Sequence, residues 1–124
     1  NTDDYASDTW YGIARGTYLK AGTSTITKED STHALGTGKT LTHSKCDRVY
    51  VRIYLDQSAT ATSGSWGTID YWTGTAKNAT VATVSSGSYK VTKNQYYRVT
   101  GAHSATKGTT TESTNSITSA LLFN

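Results

Sequence analysis

Two stretches of the chain alternate apolar and polar residues strictly enough to predict β-strands. In Arg48–Asp56, Val49, Val51, Ile53 and Leu55 fall on one face, while Arg48, Tyr50, Arg52, Tyr54 and Asp56 fall on the other. In Tyr96–His103, Tyr97, Val99 and Gly101 point one way, and Tyr96, Arg98 and Thr100 point the other. An apolar face opposite a polar and aromatic one predicts an antiparallel sheet covered on one side only. Nowhere does a window longer than about ten residues keep apolar positions at helical spacing. The reading is therefore all-β.

Shorter segments fill in the rest. Trp10–Leu19 reads as an opening strand or a strap, Thr23–Thr27 as a short strand, and Lys28–Ser31 as a turn. Gly36-Thr37-Gly38 reads as a further break, and Thr40–Cys46 as the start of the next ordered segment. Trp66–Thr73 is expected to return as a hairpin strand. Ala79–Val84 and Ser88–Thr92 read as two strands, or as one interrupted at Ser85-Ser86-Gly87. Lys93-Asn94 and Lys107-Gly108 are turn candidates, and Leu121-Leu122-Phe123 is apolar enough to pair as a last strand. About seven to nine short strands at this spacing predict an antiparallel, immunoglobulin-like β-sandwich. Residues 1–8 are expected as a flexible N-terminal segment ahead of one domain over residues 9–124.

Composition supports folding on a modest core. Leu, Ile, Val and Phe supply only 18 of 124 residues, but nine Tyr and three Trp add large apolar surfaces. The formal net charge of +3 is too small to keep the chain open. Basic residues are scattered singly, unlike the concentrated stripe of a nucleic-acid binder, so no nucleic-acid partner is expected. The chain starts at Asn1, and no apolar stretch approaches the roughly 20 residues of a membrane span. This predicts a secreted or extracellular protein whose signal peptide has been removed. With one cysteine, Cys46, no intrachain disulfide can form, which suits export from a Gram-positive bacterium.

The stretch Gln95–His103, with Lys107-Gly108, Glu112-Ser113 and the Gly64-Ser65-Trp66 step, resembles a family of small exported Gram-positive bacterial proteins of unknown function. The likeness covers roughly the C-terminal two-thirds and implies export without a known activity. The Tyr-x-Arg-Val pattern also resembles the F and G strands of fibronectin type III domains. There a corner tyrosine would occupy the place of Gln95, where this chain departs from the pattern.

Candidate chemistry is sparse. No nucleophile elbow, metal-ligand spacing or phosphate loop is present, so no catalytic residue, metal or cofactor is expected. His103 and Glu112 are expected to face each other across the Lys107-Gly108 hairpin as a structural pair, with little stability lost on replacing His103 by alanine. Asp47, Asp56 and Asp70 are carboxylates at strand ends or in a hairpin, more in keeping with turn chemistry than with glycoside hydrolysis. Trp66, Tyr71 and Trp72 form the strongest binding candidate, which Tyr50 and Tyr54 could extend across the neighbouring strand. Sugars stack on such rings, although a chain poor in Leu and Ile also needs its tryptophans to close the core. The leading expectation is an exported, non-enzymatic domain that binds a glycan or cell-surface partner or serves as display. A carbohydrate-binding module is one alternative, and a secreted antimicrobial or toxin-like protein is another.

Overall fold

The computed structural model describes residues 4–11, 18–61 and 64–124, and of residues 10 and 11 the backbone alone. Among the described residues seven strands follow one another: β1 (Tyr5–Tyr11), β2 (Leu19–Asp30), β3 (His33–Ser58), β4 (Gly67–Lys90), β5 (Gln95–Lys107), β6 (Thr110–Ile117) and β7 (Leu121–Phe123). Every pairing is antiparallel, and all belong to one sheet of order β1-β2-β3-β5-β6, with β4 also paired to β3 and β7 to β5. The all-β antiparallel class is as the alternation predicts.

Two strands, of 26 and 24 residues, do the work expected of several short ones. β4 lines β3 from His33 to Gln57, while the other edge of β3 takes β2 along its first half and β5 along its second. The register slips between Leu41 and Cys46, where neither β2 nor β5 is paired with β3 beyond Thr42 or before Arg48. There the sheet curls over, into a half-barrel whose two layers enclose the core. A Cβ added at Gly38 would collide with Ile53 and sit 2.9 Å from Val51, both on the other half of the same strand. Gly36-Thr37-Gly38 is thus not a break but part of β3, with Gly36 and Gly38 on its inner face, glycine because the facing layer leaves little room for a side chain. The Ser85–Gly87 interruption is a bulge inside β4: Thr37 pairs with Ser85 and Leu35 with Ser88, and Gly87 takes φ +65°.

The predicted apolar face is the core. Val49, Val51, Ile53 and Leu55 are all buried, as are Tyr97 and Val99 from the second alternating strand, with Ile26, Leu121 and Phe123. Tyr97 meets Phe123 edge-on at 5.2 Å between centroids, and its hydroxyl accepts hydrogen bonds from Gln57 Nε2 (2.6 Å) and the Thr92 amide (2.8 Å). Burying that ring therefore leaves its polar end satisfied.

The N-terminal expectation needs correcting in part. Tyr5–Asp8, placed in the flexible segment 1–8, belongs to β1 and pairs with Ser24–Thr27. Asp8 Oδ2 also accepts from the Ile117 amide at 3.0 Å, which ties β1 to the far edge of the sheet. Most of the opening strand or strap expected over Trp10–Leu19 lies outside the described residues.

Candidate functional site

Curling the sheet gives the two alternating strands opposite duties on their two faces. On the inner face, β5 presents His103 to a polar cluster drawn from β2, β3 and β6. His103 is only 1% exposed. Thr40 Oγ1 donates to the Tyr50 carbonyl (2.9 Å), so it must accept from His103 Nδ1–H, also at 2.9 Å. Nε2 is then the bare nitrogen and accepts from Ser116 Oγ–H at 2.7 Å. The Ser116 oxygen in turn accepts from the Ser24 hydroxyl. One imidazole tautomer, assigned from the network, lets each of these groups spend its proton once. Burial is the main cause that pushes the imidazole down to about 4, against upward pulls from the Lys39 backbone and the Asp8 charge. Glycine makes room for the ring, since a Cβ at Gly22 would strike it and one at Gly101 would sit 2.8 Å from Nε2.

A serine beside a histidine invites a nucleophilic reading. Here Ser24, Ser116 and His103 are each 3% exposed or less, and the group orienting Nδ1 is a threonine hydroxyl rather than a carboxylate. The cluster lies buried between the two layers and joins β2, β3, β5 and β6. The expected His103–Glu112 pair does not form. The hairpin turns at Gly108-Thr109, so Lys107 pairs with Thr110, His103 with Thr114 and Glu112 with Ala105. A one-residue shift of the turn moves each cross-strand partner by two. Glu112 instead accepts from the Tyr18 (2.8 Å) and Leu19 (2.7 Å) amides across the seam.

The outer face of β3, β4 and β5 carries the binding candidates, and it divides them. Tyr54 lies opposite Tyr71 in the β3–β4 register, their rings 6.2 Å apart, and Tyr50 follows four residues back along β3 beside Thr75. These three share one face. Trp72, one residue on from Tyr71, points inward, where its ring meets Tyr89 edge-on at 5.3 Å against the core. Trp66 precedes β4, half-buried, with the Arg98 guanidinium 4.3 Å above its ring. Neither tryptophan joins the tyrosine platform.

Sequence reasoning passed over the arginines between those tyrosines. Arg52 stands at the centre, 5.1 Å from the Tyr71 ring and about equally far from Tyr50 (5.9 Å) and Tyr54 (6.0 Å). Arg48 lies 4.6 Å over Tyr50. The hydroxyls of Tyr54 and Tyr50 hold the Arg52 guanidinium in its charged form. The signal was present in the alternation, which already put Arg48 and Arg52 with Tyr50 and Tyr54, but isolated cations on a strand resemble any solvated face. Arg98 differs: its Nε donates at 3.2 Å to Asp56, a carboxylate 4% exposed that also accepts from Thr68 (2.8 Å).

The remaining carboxylates have local duties. Asp47 accepts the Gly108 amide at 2.7 Å and Asp70 the Tyr71 amide at 2.8 Å. Among the described residues, no group of three or more His, Cys, Asp or Glu gathers as a metal site, and no helix is long and apolar enough to cross a membrane. Cys46 is buried, its thiol donating to the Ser44 carbonyl at 3.3 Å. On the other half of the sheet a cleft of about 310 Å³ is lined by Thr23, Thr25, Thr37, Gly38, Lys39 and Thr83.

No curated protein and no solved structure matches the chain. A model of a family of unknown function does, over residues 1–121, so the likeness runs well ahead of the C-terminal two-thirds that carried it in the sequence. The chain belongs to that family of unknown function, DUF6147.

Proposed function

We propose that this chain is a non-enzymatic binding domain of the cell exterior, exported from a Gram-positive bacterium, and that the outer face bearing Tyr50, Tyr54 and Tyr71 is its contact surface. In this reading the curled sheet serves as a sandwich-type scaffold of immunoglobulin-like kind. One observation carries the proposal: three tyrosines and two arginines are grouped on a face whose residues the core does not need. Tyr71 is 56% exposed, and Tyr50 and Tyr54 are half-buried by their neighbours rather than by the core. Aromatic and arginine side chains displayed together on rigid strands are what binding surfaces concentrate. The half-buried positions of Trp66 and Trp72 move the expected contact away from the tryptophans and onto the tyrosines.

Glycan-array binding by the native protein and by a Tyr54→Ala/Tyr71→Ala double variant tests this. Ligands bound by the first should be lost by the second, with its melting curve little changed. Binding that survives the double substitution would place the contact surface elsewhere.

A further inference from the structure

We infer that the ligand of this face is an acidic polysaccharide, recognised through Arg48, Arg52 and Lys77. The inference rests on the proposed contact surface and names the class of ligand it takes.

The first support is an imbalance of charge. Arg48 and Lys77 are paired directly across β3 and β4, and Arg52 follows on the same face. Like charges set opposite each other weaken a sheet when nothing lies between them. No carboxylate occupies the outward positions of the four cross-strand rows from Lys77–Arg48 to Tyr71–Tyr54, which run on through β5 and β6. Among the described residues, none of the three cations has a salt bridge.

Arg98, on the same face, shows how the fold treats an arginine it uses for itself: Asp56 pairs with it and Trp66 lies beneath it. Arg52 donates to tyrosine hydroxyls only, and its Nε is buried without a partner. A guanidinium held in place but lacking a carboxylate is suited to accept one from a ligand.

The second support is the surroundings. Four steps of strand separate Arg48 from Arg52, about 13 Å at the ordinary rise, so the two arginines form a line along β3 with Lys77 beside Arg48 on β4. Beside that line the outward positions are Thr73 and Thr75 on β4, Ser104 on β5, and Ser113 and Asn115 on β6. Hydroxyls and an amide match the hydroxyls of a sugar chain, as the guanidinium groups match its acids.

A single-stranded nucleic acid would need open ring faces for its bases to stack on. Here guanidinium groups lie over the Tyr50 and Tyr71 rings. An acidic protein would bring an apolar centre, for which the rows between Arg48 and Arg52 offer no large aliphatic side chain.

The test is calorimetric titration at low salt with polygalacturonate, dextran, polyglutamate and oligo-thymidine. The native protein should bind polygalacturonate most tightly, with affinity falling as salt is raised. Arg52→Gln and Arg48→Gln should each weaken binding about tenfold, whereas Lys93→Gln, in the exposed β4–β5 turn, should not. Melting curves check that each variant is folded. Absence of polygalacturonate binding, equal or tighter binding of polyglutamate or oligo-thymidine, or equal loss in Lys93→Gln would overturn the inference. A neutral glycan whose binding is lost in Tyr54→Ala/Tyr71→Ala but kept in Arg52→Gln would also overturn it, while leaving the contact surface in place.

Discussion

The inner and outer faces of β3 and β5 each carry a polar cluster and treat it in opposite ways. Inside, His103, Thr40, Ser116 and Ser24 form a relay in which one tautomer gives every proton an acceptor. Outside, Arg52 keeps a buried Nε with no partner, and Arg48 faces Lys77. A buried polar group left unpaired is costly, so the fold completes the inner set itself. The outer set is given no carboxylate by the fold, and its guanidinium groups, Arg48 exposed and Arg52 partly so, stand where a ligand can supply one. Completeness, more than residue type, separates the structural cluster from the candidate site.

The largest effect should come from breaking the inner set. His103→Ala removes a buried ring, opens a cavity and strips Ser116 and Thr40 of a partner. A loss of about 3–4 kcal/mol in urea unfolding is expected. This replaces the small effect that a surface His103–Glu112 pair would have had. A loss under about 1 kcal/mol would mean that the relay contributes little and that the contrast between the faces is unfounded.

Acid should attack the same place without a mutation. The unfolded histidine takes its proton near 6.5, while the folded one resists until about 4. Between these values the unfolded chain binds more protons, so stability falls as pH drops through that window. This contribution is complete above about 6.5, and its full loss by pH 4 is worth up to about 3 kcal/mol. Unfolding midpoints between pH 7.5 and 4 should show the decline in the native protein. A folded His103→Gln variant should lack that share of it, and an identical decline in both would remove His103 as the cause.

How much of this the sequence disclosed depended on whether the deciding interaction was local. Period-two alternation placed Val49–Leu55 inside and Arg48–Asp56 outside, because a strand's side chains alternate whatever the fold. Leu121–Phe123 paired as expected, with β5. Gly36 and Gly38 misled, since their reason for being glycine lies in Val51, Ile53 and Val99 on the opposing layer. His103 likewise drew its partners from β2, β3 and β6, and a turn displaced by one residue was enough to hide them. The tyrosine platform was legible in part: Tyr50, Tyr54 and Tyr71 share a face. Trp72 follows Tyr71 directly, so on one strand it had to point the other way.

Arg98 offers a sharper comparison, since it shares the outer face with Arg52 but is used structurally. Arg98→Ala leaves the Asp56 carboxylate buried beside Thr68 without its cation and uncovers Trp66. A cost of about 2 kcal/mol is expected, below that of a fully buried pair because Arg98 is 24% exposed. Asp56→Asn/Arg98→Ala should recover part of it by removing the stranded charge. No recovery would show that the loss comes from Trp66 packing rather than from electrostatics.

Arg52→Gln should have the smallest effect on stability. Its contacts are cation–π and tyrosine-hydroxyl contacts on a partly exposed face, each worth on the order of 0.5–1 kcal/mol, and glutamine keeps a donor and much of the stem. Removing a cation from a face that already sets Arg48 against Lys77 also relieves repulsion, which offsets part of the loss. The net change in unfolding free energy should stay within about 0.5 kcal/mol, while binding through this face falls about tenfold. A destabilisation as large as that of Arg98→Ala would mean that Arg52 is held for the fold after all. The outer face would then be as self-sufficient as the inner one, and its lack of a carboxylate would no longer point to a ligand.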